Sequence, residues 1–236
     1  MYDIILFDLD DTLLGFISSE RESLKRIHAE FYGQLDFAVF EENFMSINRE
    51  LWSRVGKHVE PLTPSEIRIR RFIEFNQKFK INHDHMIIAN NYEKYLGETA
   101  GWLPGVKEAI EDLHKKNYLL GIVTNGLVGV QYKKHERHEL ARWFKSFVVS
   151  DRVNVAKPHK GIFELALAEL KALDLKKVLM VGDSLHADGH GAKNTGIDFC
   201  LVGQGSPAEI QREQGIPVRY RIPSVCELPQ IIGARP

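Results

Sequence analysis

The chain opens on an uninterrupted run of apolar residues that is followed at once by acids. Residues 4–7 read Ile-Ile-Leu-Phe, and residues 8–12 read Asp-Leu-Asp-Asp-Thr. A short apolar run of this kind is typical of a strand buried on both faces, as in a parallel sheet. We therefore predict a buried first strand that carries carboxylates at its carboxyl end.

A long helical block follows this strand. Between residues 18 and 98 the apolar positions recur at helical spacing, and no stretch has the alternation of a strand. Ser18 is expected to cap the first helix, and the segment 63–66, Thr-Pro-Ser-Glu, is expected to open the third. The predicted apolar stripes include Leu24 and Ile27, then Phe40, Phe44, Ile47 and Leu51, then Ile69 and Phe72, and then Ile87, Tyr92 and Leu96.

In the rest of the chain, short apolar runs typical of strands alternate with segments whose apolar residues recur at helical spacing. Strands are predicted at 118–124, 147–149, 177–183 and 198–202, and helices at 106–113, 135–144, 161–173, 187–195 and 225–232. Such alternation implies right-handed crossovers and a mostly parallel sheet. We predict an α/β fold with a Rossmann-like three-layer core built from residues 1–15 and 100–236. A helical domain, residues 16–99, is inserted after the first strand.

Composition and charge narrow the choice of partners. The 236 residues are 44% hydrophobic, which is enough for a core, and 31 Lys and Arg balance 32 Asp and Glu. The chain therefore lacks the basic field of a protein that binds nucleic acid polymers. Two cysteines fit a reducing compartment, and no run is long enough for a membrane helix. The first ten residues include acids and lack a basic region followed by a long apolar run, so a signal peptide is not expected. We expect a cytoplasmic protein without a membrane partner, and the oligomeric state stays open.

Four polar motifs fall at strand ends or in loops of the predicted core. They are Asp8-x-Asp10-Asp11-Thr12, Thr124-Asn125-Gly126, Lys157-Pro158, and Gly182-Asp183-Ser184-x-x-x-Asp188. Loops at the carboxyl ends of parallel strands converge on one crevice, so these side chains are expected to meet. Carboxylates gathered in this way need a cation or a proton. Taken singly, each motif also fits a simpler role as an acidic turn, a surface lysine or a helix cap.

This set of motifs resembles the haloacid dehalogenase-like hydrolase superfamily, in its phosphatase branch, over nearly the whole chain. The resemblance implies that residues 16–99 are a helical cap and that the cofactor is Mg²⁺. It also assigns roles to the motif residues. These are Asp8 as nucleophile, Asp10 as general acid and base, Thr124, Asn125 and Lys157 as phosphate-binding residues, and Asp8, Asp10 and Asp183 as metal ligands. Asp188 is expected beside these residues, where it holds Lys157 or a metal-bound water; the alternative is that it caps a helix.

The chemistry of a phosphate monoester is consistent with these roles. Its dianion repels a carboxylate nucleophile, so a divalent cation with oxygen ligands and a lysine are needed to offset the charge. Asp8 attacks phosphorus, and Asp10 protonates the leaving alkoxide and later deprotonates a water. Asp11 is not expected to be a ligand, because the next residue of an extended strand points away.

Asp10 also separates the branches of the superfamily. Dehalogenases and ion pumps do not need an acid at this position, so Asp10 favours a phosphatase. Segments 47–52, 124–126 and 153–158 look like the bacterial pyrimidine 5′-nucleotidase family, which implies a nucleoside 5′-monophosphate as the small-molecule substrate. A phosphoglycolate- or sugar-phosphate-type phosphatase shares every core residue and stays open. A non-catalytic binding protein is expected to have lost Asp8 or Asp10.

Three further features of the sequence have no assigned role. The histidines are scattered without the paired spacing of a zinc site. The run Arg68-x-Arg70-Arg71 lies on a predicted helix, where it is typical of a solvated face, and the alternative is that one of these arginines reaches the substrate. Gly189 stands where the resembled family commonly has an apolar residue, which leaves the local helix packing open.

Overall fold

A single six-stranded parallel sheet organises the computed structural model, which describes residues 2–54, 62–203 and 215–233. The strands lie in the order β3-β2-β1-β4-β5-β6. They are β1 (Ile4–Phe7), β2 (Leu119–Thr124), β3 (Phe144–Val149), β4 (Val178–Gly182), β5 (Asp198–Val202) and β6 (Tyr220–Ile222). This topology confirms the predicted α/β class and the mostly parallel sheet.

Helices occupy much of the remaining described chain. They are α1 (Phe16–Ile27), α2 (Phe37–Trp52), α3 (Pro64–Phe79), α4 (His85–Thr99), α5 (Val106–Lys115), α6 (Val128–Arg137), α7 (Ser150–Val153), α8 (Lys160–Glu169), α9 (His190–Thr195) and α10 (Leu228–Ile231). Short π-helical turns at His28–Tyr32 and Leu185–Gly189 follow α1 and precede α9.

The first strand lies at the centre of the sheet. All four residues of β1 are buried, and Phe7 is in register with Ile122 of β2 on one side and Val181 of β4 on the other. The strand order reverses direction at β1, between β2 and β4, which makes this edge a topological switch point. Side chains that follow β1, β2 and β4 are therefore brought to one crevice.

Packing on the sheet explains why the interior residues are apolar. One core cluster joins Leu6 and Met180 of the central strands to Ile162 and Phe163 of α8 and to Phe199 of β5, all of them 4% exposed or less. Burial of such side chains is worth about 1.5–3 kcal/mol each. The cluster fixes the central strands, and with them the positions of the polar residues that follow.

The described chain forms two compact units. One comprises the described residues of Met1–Phe16, Gly101–Val128 and His135–Pro236, and it contains the sheet. The other comprises those of Ile17–Ala100 and Gly129–Lys134 and is helical. Its interior is rich in aromatic rings, with Phe40, Phe44, Phe72 and Tyr92 fully buried. The predicted function of residues 16–99 as a cap stays a prediction.

Several helix boundaries differ from the periodic pattern. Helix α1 begins at Phe16 instead of Ser18, because the carboxylate of Asp11 accepts a hydrogen bond from the Phe16 N–H at 2.8 Å. The segment 187–195 is divided between a π-helical turn and α9, and the helix predicted at 135–144 ends at Arg137. By contrast, α3 begins at Pro64 behind a capping box formed by Thr63 and Glu66, as predicted.

Within the part of the chain that the structure describes, no helix is both long and apolar enough to cross a membrane.

Two helical glycines allow a matched test of the core packing. A Cβ placed on Gly191 would lie 2.3 Å from the ring of Phe163, whereas a Cβ on Gly129 would meet nothing within 4 Å. Gly191→Ala should therefore lower the free energy of unfolding by about 1–3 kcal/mol through overpacking. Gly129→Ala should leave this free energy unchanged or raise it by up to about 1 kcal/mol. Urea unfolding measures both, and equal effects would contradict the close packing of Gly191 on Phe163.

Candidate active site

Asp8 and Asp183 lie at the ends of adjacent parallel strands. The backbone N–H of Asp8 donates to the Val181 carbonyl at 2.9 Å, so the ladder between β1 and β4 extends as far as the carboxylate-bearing residue. Asp183 directly follows β4. The apolar strands thus hold two carboxylates side by side at the switch point of the sheet.

A buried lysine joins two of the acids. The Lys157 ammonium donates to Asp8 Oδ1 at 2.6 Å and to Asp188 Oδ1 at 2.7 Å. All three residues are buried, and Asp188 is completely enclosed. Burial alone would lower the pKa of Lys157, but the Asp188 and Asp8 carboxylates outweigh it and raise this pKa. The lysine therefore stays charged and offsets negative charge in the crevice.

The acids themselves are harder to ionise here than in water. Desolvation raises the pKa of Asp8 to about 7, although the charge of Lys157 opposes the shift. Asp183 keeps some contact with solvent, yet partial desolvation and the charge of Asp8 raise its pKa to about 6. The Thr12 hydroxyl donates to Asp183 Oδ1 at 3.2 Å and favours the ionised form. This electrostatic environment favours a bound cation.

Asn125 holds the backbone of the catalytic lysine candidate. Its side-chain oxygen accepts from the Lys157 N–H at 2.9 Å, and its side-chain nitrogen donates to the Lys157 carbonyl at 3.0 Å. Thr124 is fully buried at the end of β2, and the Gly126 N–H donates to the Ser150 hydroxyl at 3.2 Å. The predicted contact of Thr124 and Asn125 with phosphate stays a prediction. In the structure, the Asn125 side chain hydrogen-bonds the Lys157 backbone and so positions this lysine.

Asp188 depends on a glycine whose function the sequence motifs did not indicate. Its second carboxylate oxygen accepts from the Ser184 N–H at 3.1 Å and lies over Gly182, where a Cβ would come within 2.2 Å of it. A glycine that ends a buried strand is the signal that could have indicated this close approach. The other carboxylate oxygen of Asp188 accepts a hydrogen bond from Lys157, which is one of the contacts expected for it.

Asp10 and Asp11 diverge after the strand. Asp11 adopts a left-handed conformation with φ of 56°, and its carboxylate is the acceptor at the start of α1. Asp10 lies outside the group of carboxylates that approach one another most closely. Its predicted functions as a metal ligand and as an acid and base stay predictions.

Three carboxylates have the donor chemistry of a site for a hard divalent cation. Oxygen atoms of Asp8, Asp183 and Asp188 all lie within 4.8 Å of one another. Hard cations such as Mg²⁺ and Ca²⁺ take oxygen ligands and often use carboxylates. The residues present therefore fit a divalent metal, with Lys157 beside it as a fixed positive charge.

Fold and site together define a class of protein. Carboxylates, a buried lysine and a strand-end threonine at the switch point of a parallel sheet are the features of an α/β protein with a charged ligand-binding crevice. The family model for haloacid dehalogenase-like hydrolases matches residues 5–202, and the chain belongs to this family. This match confirms the family resemblance inferred from the four motifs.

Proteins of similar sequence and structure indicate the type of reaction within this family. The chain is 28% identical over 197 residues to pyrimidine 5′-nucleotidase PynA of Streptococcus pneumoniae, covering 84% of this chain and 82% of that protein. It is 31% identical over 235 residues to glyceraldehyde 3-phosphate phosphatase of Pyrococcus furiosus, covering 97% and 91%. A magnesium-bound structure of the HAD-hydrolase YfnB from Bacillus subtilis superposes with a TM-score of 0.82 at 26% identity, covering 98% and 99%. This chain is a phosphoric monoester hydrolase.

The contribution of the buried Lys157 to the free energy of unfolding can be measured. Lys157→Met leaves the Asp8 and Asp188 carboxylates without their ammonium, and breaking a buried ion pair in this way costs about 3–5 kcal/mol. We expect urea unfolding in the presence of a chelator to show that loss. Adding Asp188→Asn to the same chain should restore part of the stability, because it removes one uncompensated carboxylate.

The control for this variant is Lys160→Met, which removes an exposed lysine that pairs with Glu164 on the surface of α8. Its effect should stay within about 0.5 kcal/mol. Equal losses for the two lysine variants would contradict the assignment of Lys157 as the buried counter-charge.

Proposed function

We propose that this phosphatase hydrolyses a nucleoside 5′-monophosphate, with Mg²⁺ as cofactor and an aspartyl-phosphate on Asp8 as intermediate. The observation that carries the proposal is the Asp8 carboxylate, held at 2.6 Å by the Lys157 ammonium beside Asp183 at the switch point. The relative named as a pyrimidine 5′-nucleotidase supports the nucleotide. A sugar-phosphate substrate is the second candidate, because another relative is named as a glyceraldehyde 3-phosphate phosphatase.

Asp8 is the proposed nucleophile. One of its carboxylate oxygens attacks phosphorus and forms a bond to it, and the bond from phosphorus to the ester oxygen breaks. The ammonium of Lys157 is already positioned at this carboxylate and offsets the charge on the transferring group. Asp188 and Asn125 keep that ammonium and its backbone in place.

Asp10 is the proposed proton carrier. In the first step it gives its proton to the leaving ester oxygen, so the alcohol departs in neutral form. In the second step the Asp10 carboxylate takes a proton from water, whose oxygen attacks phosphorus while the bond to Asp8 breaks. Inorganic phosphate is released and both aspartates return to their starting states.

Asp8 and Asp183 would hold the metal, with Asp10 as the third predicted ligand. When bound, a divalent cation offsets the repulsion between an anionic nucleophile and an anionic substrate. Thr12 keeps Asp183 oriented through its hydroxyl, and Thr124 and the backbone N–H groups of its loop are the proposed ligands of the phosphate oxygens.

The inserted helical domain is the proposed source of specificity. The predicted insertion, residues 16–99, follows the nucleophile strand. The described residues of Ile17–Ala100 form a compact unit together with Gly129–Lys134 of α6. In YfnB, the magnesium-bound crystal structure reveals interdomain movement. We propose that the insertion of this chain is a cap that selects the leaving group.

Phosphate release from a substrate panel tests both the substrate and the metal. Nucleoside 5′-monophosphates should be hydrolysed with higher kcat/KM than glyceraldehyde 3-phosphate or phosphoglycolate, and chelation should abolish turnover of all of them. Asp183→Asn should raise the Mg²⁺ concentration for half-maximal activity by more than about tenfold. Asp112→Asn, which changes an exposed acid on α5, is the control. Full activity after exhaustive chelation would overturn the metal requirement.

Substitution of Asp8 and substitution of Asp10 should cause different kinetic defects. Asp8→Asn removes the nucleophile, so no phosphoenzyme forms and turnover stops. Asp10→Asn should slow each proton-transfer step by about 10²–10⁴-fold. With an acidic phenol as leaving group the first step needs little protonation, so Asp10→Asn should release a burst of phenol and then turn over slowly.

Rapid-quench kinetics and intact-protein mass spectrometry measure the burst and the phosphate bound to Asp8. Wild-type turnover of an alkyl phosphate by the Asp10→Asn enzyme would contradict the proposed mechanism. So would phosphate trapped on a different residue.

A further inference from the structure

The loop that follows β2 runs from Thr124 to Val128, the first residue of α6. The sheet fixes the start of this loop, because Thr124 is in register with Val149, the last residue of β3. The chain then passes from β3 directly into α7, whose first two residues are Ser150 and Asp151. The pairing of β2 with β3 therefore carries these two polar side chains to the side of the loop, and all of these residues belong to the sheet unit.

Ser150 and Asp151 both accept hydrogen bonds from the backbone of the loop. The Gly126 N–H donates to the Ser150 hydroxyl at 3.2 Å, and the Val128 N–H donates to Asp151 Oδ2 at 2.9 Å. Ser150 is only 6% exposed, so little water competes for its hydroxyl. Because a peptide unit is planar, holding its N–H also fixes the direction of its carbonyl. The two side chains thus fix the orientation of two peptide units in the loop.

The contact of Asp151 also stabilises the point at which the loop ends. Val128 begins α6, and the first N–H groups of a helix have no partner within the helix itself. A carboxylate at this end of a helix accepts one of these N–H groups and interacts favourably with the helix dipole. Asp151 therefore fixes the position where the loop passes into α6.

The loop is held from a further side by the backbone of Lys157. The Asn125 side chain and the Lys157 backbone exchange two hydrogen bonds, of 2.9 and 3.0 Å. Lys157 lies further along the segment that begins with Ser150 and Asp151. The segment 150–157 thus binds the loop 124–128 at both of its ends. Donors held in this way are oriented before a ligand arrives, and they need no reorganisation during a reaction.

We propose that Ser150 and Asp151 are positioning residues of the phosphatase, which hold the Thr124 hydroxyl and the backbone of its loop in the arrangement that binds the phosphate group. Each acts through the loop, since its oxygen accepts a loop N–H and the loop carries Thr124. This inference rests on the proposed function, in which Thr124 and its loop bind the phosphate oxygens. Every substrate of such an enzyme carries the same phosphate group, so the effect should not depend on the leaving group.

Steady-state kinetics in the presence of Mg²⁺ tests the proposal on cytidine 5′-monophosphate and phenyl phosphate, which share the phosphate group and differ in the leaving group. Ser150→Ala and Asp151→Ala each remove one acceptor of a loop N–H. Each should raise both KM and the inhibition constant of inorganic phosphate by about 3- to 10-fold. The increase in KM should be the same for the two esters.

The chain offers matched controls for both variants. Ser146→Ala removes another buried serine hydroxyl of the β3 segment, which donates to Glu169 instead of accepting from the loop. Asp174→Ala removes another carboxylate that accepts a backbone N–H at the start of a helical turn. Both controls should leave KM and the inhibition constant unchanged. Asp151→Asn should also stay close to wild type, because its amide oxygen can accept from the Val128 N–H.

A purely structural role of the two residues gives a different result. Loss of stability lowers the fraction of folded enzyme, which reduces the measured kcat but leaves KM and the inhibition constant unchanged. Unchanged values of both constants in either alanine variant would therefore overturn the assignment of that residue. An increase confined to one ester, an equal increase in the controls, or an Asp151→Asn enzyme as impaired as Asp151→Ala would overturn the proposal as a whole. If Ser150→Ala does not fold, the partly exposed Asp151 provides the test.

Direct binding of inorganic phosphate separates this inference from the proposed function. If wild-type enzyme hydrolyses neither ester, the proposed function fails, and titration calorimetry with inorganic phosphate and Mg²⁺ then tests the loop alone. Binding that is about 3- to 10-fold weaker in the two alanine variants than in the wild type would support the positioning role. Equal binding by all variants, or no binding by the wild type, would overturn it.

Discussion

The site depends on one ammonium group held between two carboxylates inside the sheet unit. Asp8, Asp183 and Asp188 are brought within 4.8 Å of one another, where their charges repel and their hydration is reduced. Lys157 offsets that repulsion from within, and burial raises the pKa of Asp8 to about 7 despite it. The arrangement keeps the Asp8 carboxylate, the proposed nucleophile, close to a fixed positive charge, and a bound cation would further stabilise its ionised form.

Much of the surrounding structure serves to keep that ammonium in place. Asn125 binds the Lys157 backbone from the loop after β2, and Gly182 leaves space for the Asp188 carboxylate against the end of β4. The two hydrogen bonds from Asn125 hold the Lys157 backbone, and the Asp8 and Asp188 carboxylates hold its ammonium. The lysine thus links three separate loops at one edge of the sheet.

The two units treat buried charge differently. In the sheet unit, the Lys157 ammonium donates to the carboxylates of Asp8 and Asp188, so its charge is compensated. In the helical unit, Arg71 is enclosed by aromatic rings and keeps two N–H donors without an acceptor among the described residues.

Patterns in the amino-acid sequence were enough to predict the α/β class, the parallel sheet, the inserted helices and the grouping of four motifs at one crevice. Those features follow from local periodicity and from the rule that parallel strands end at the same edge. The contacts of the folded chain were needed to show that Asp11 accepts the Phe16 N–H at the start of α1, that Gly182 leaves space for Asp188, and that Arg71 is buried while Arg70 is not. Each of these depends on the distance between residues in the folded chain, which a pattern along the sequence does not contain.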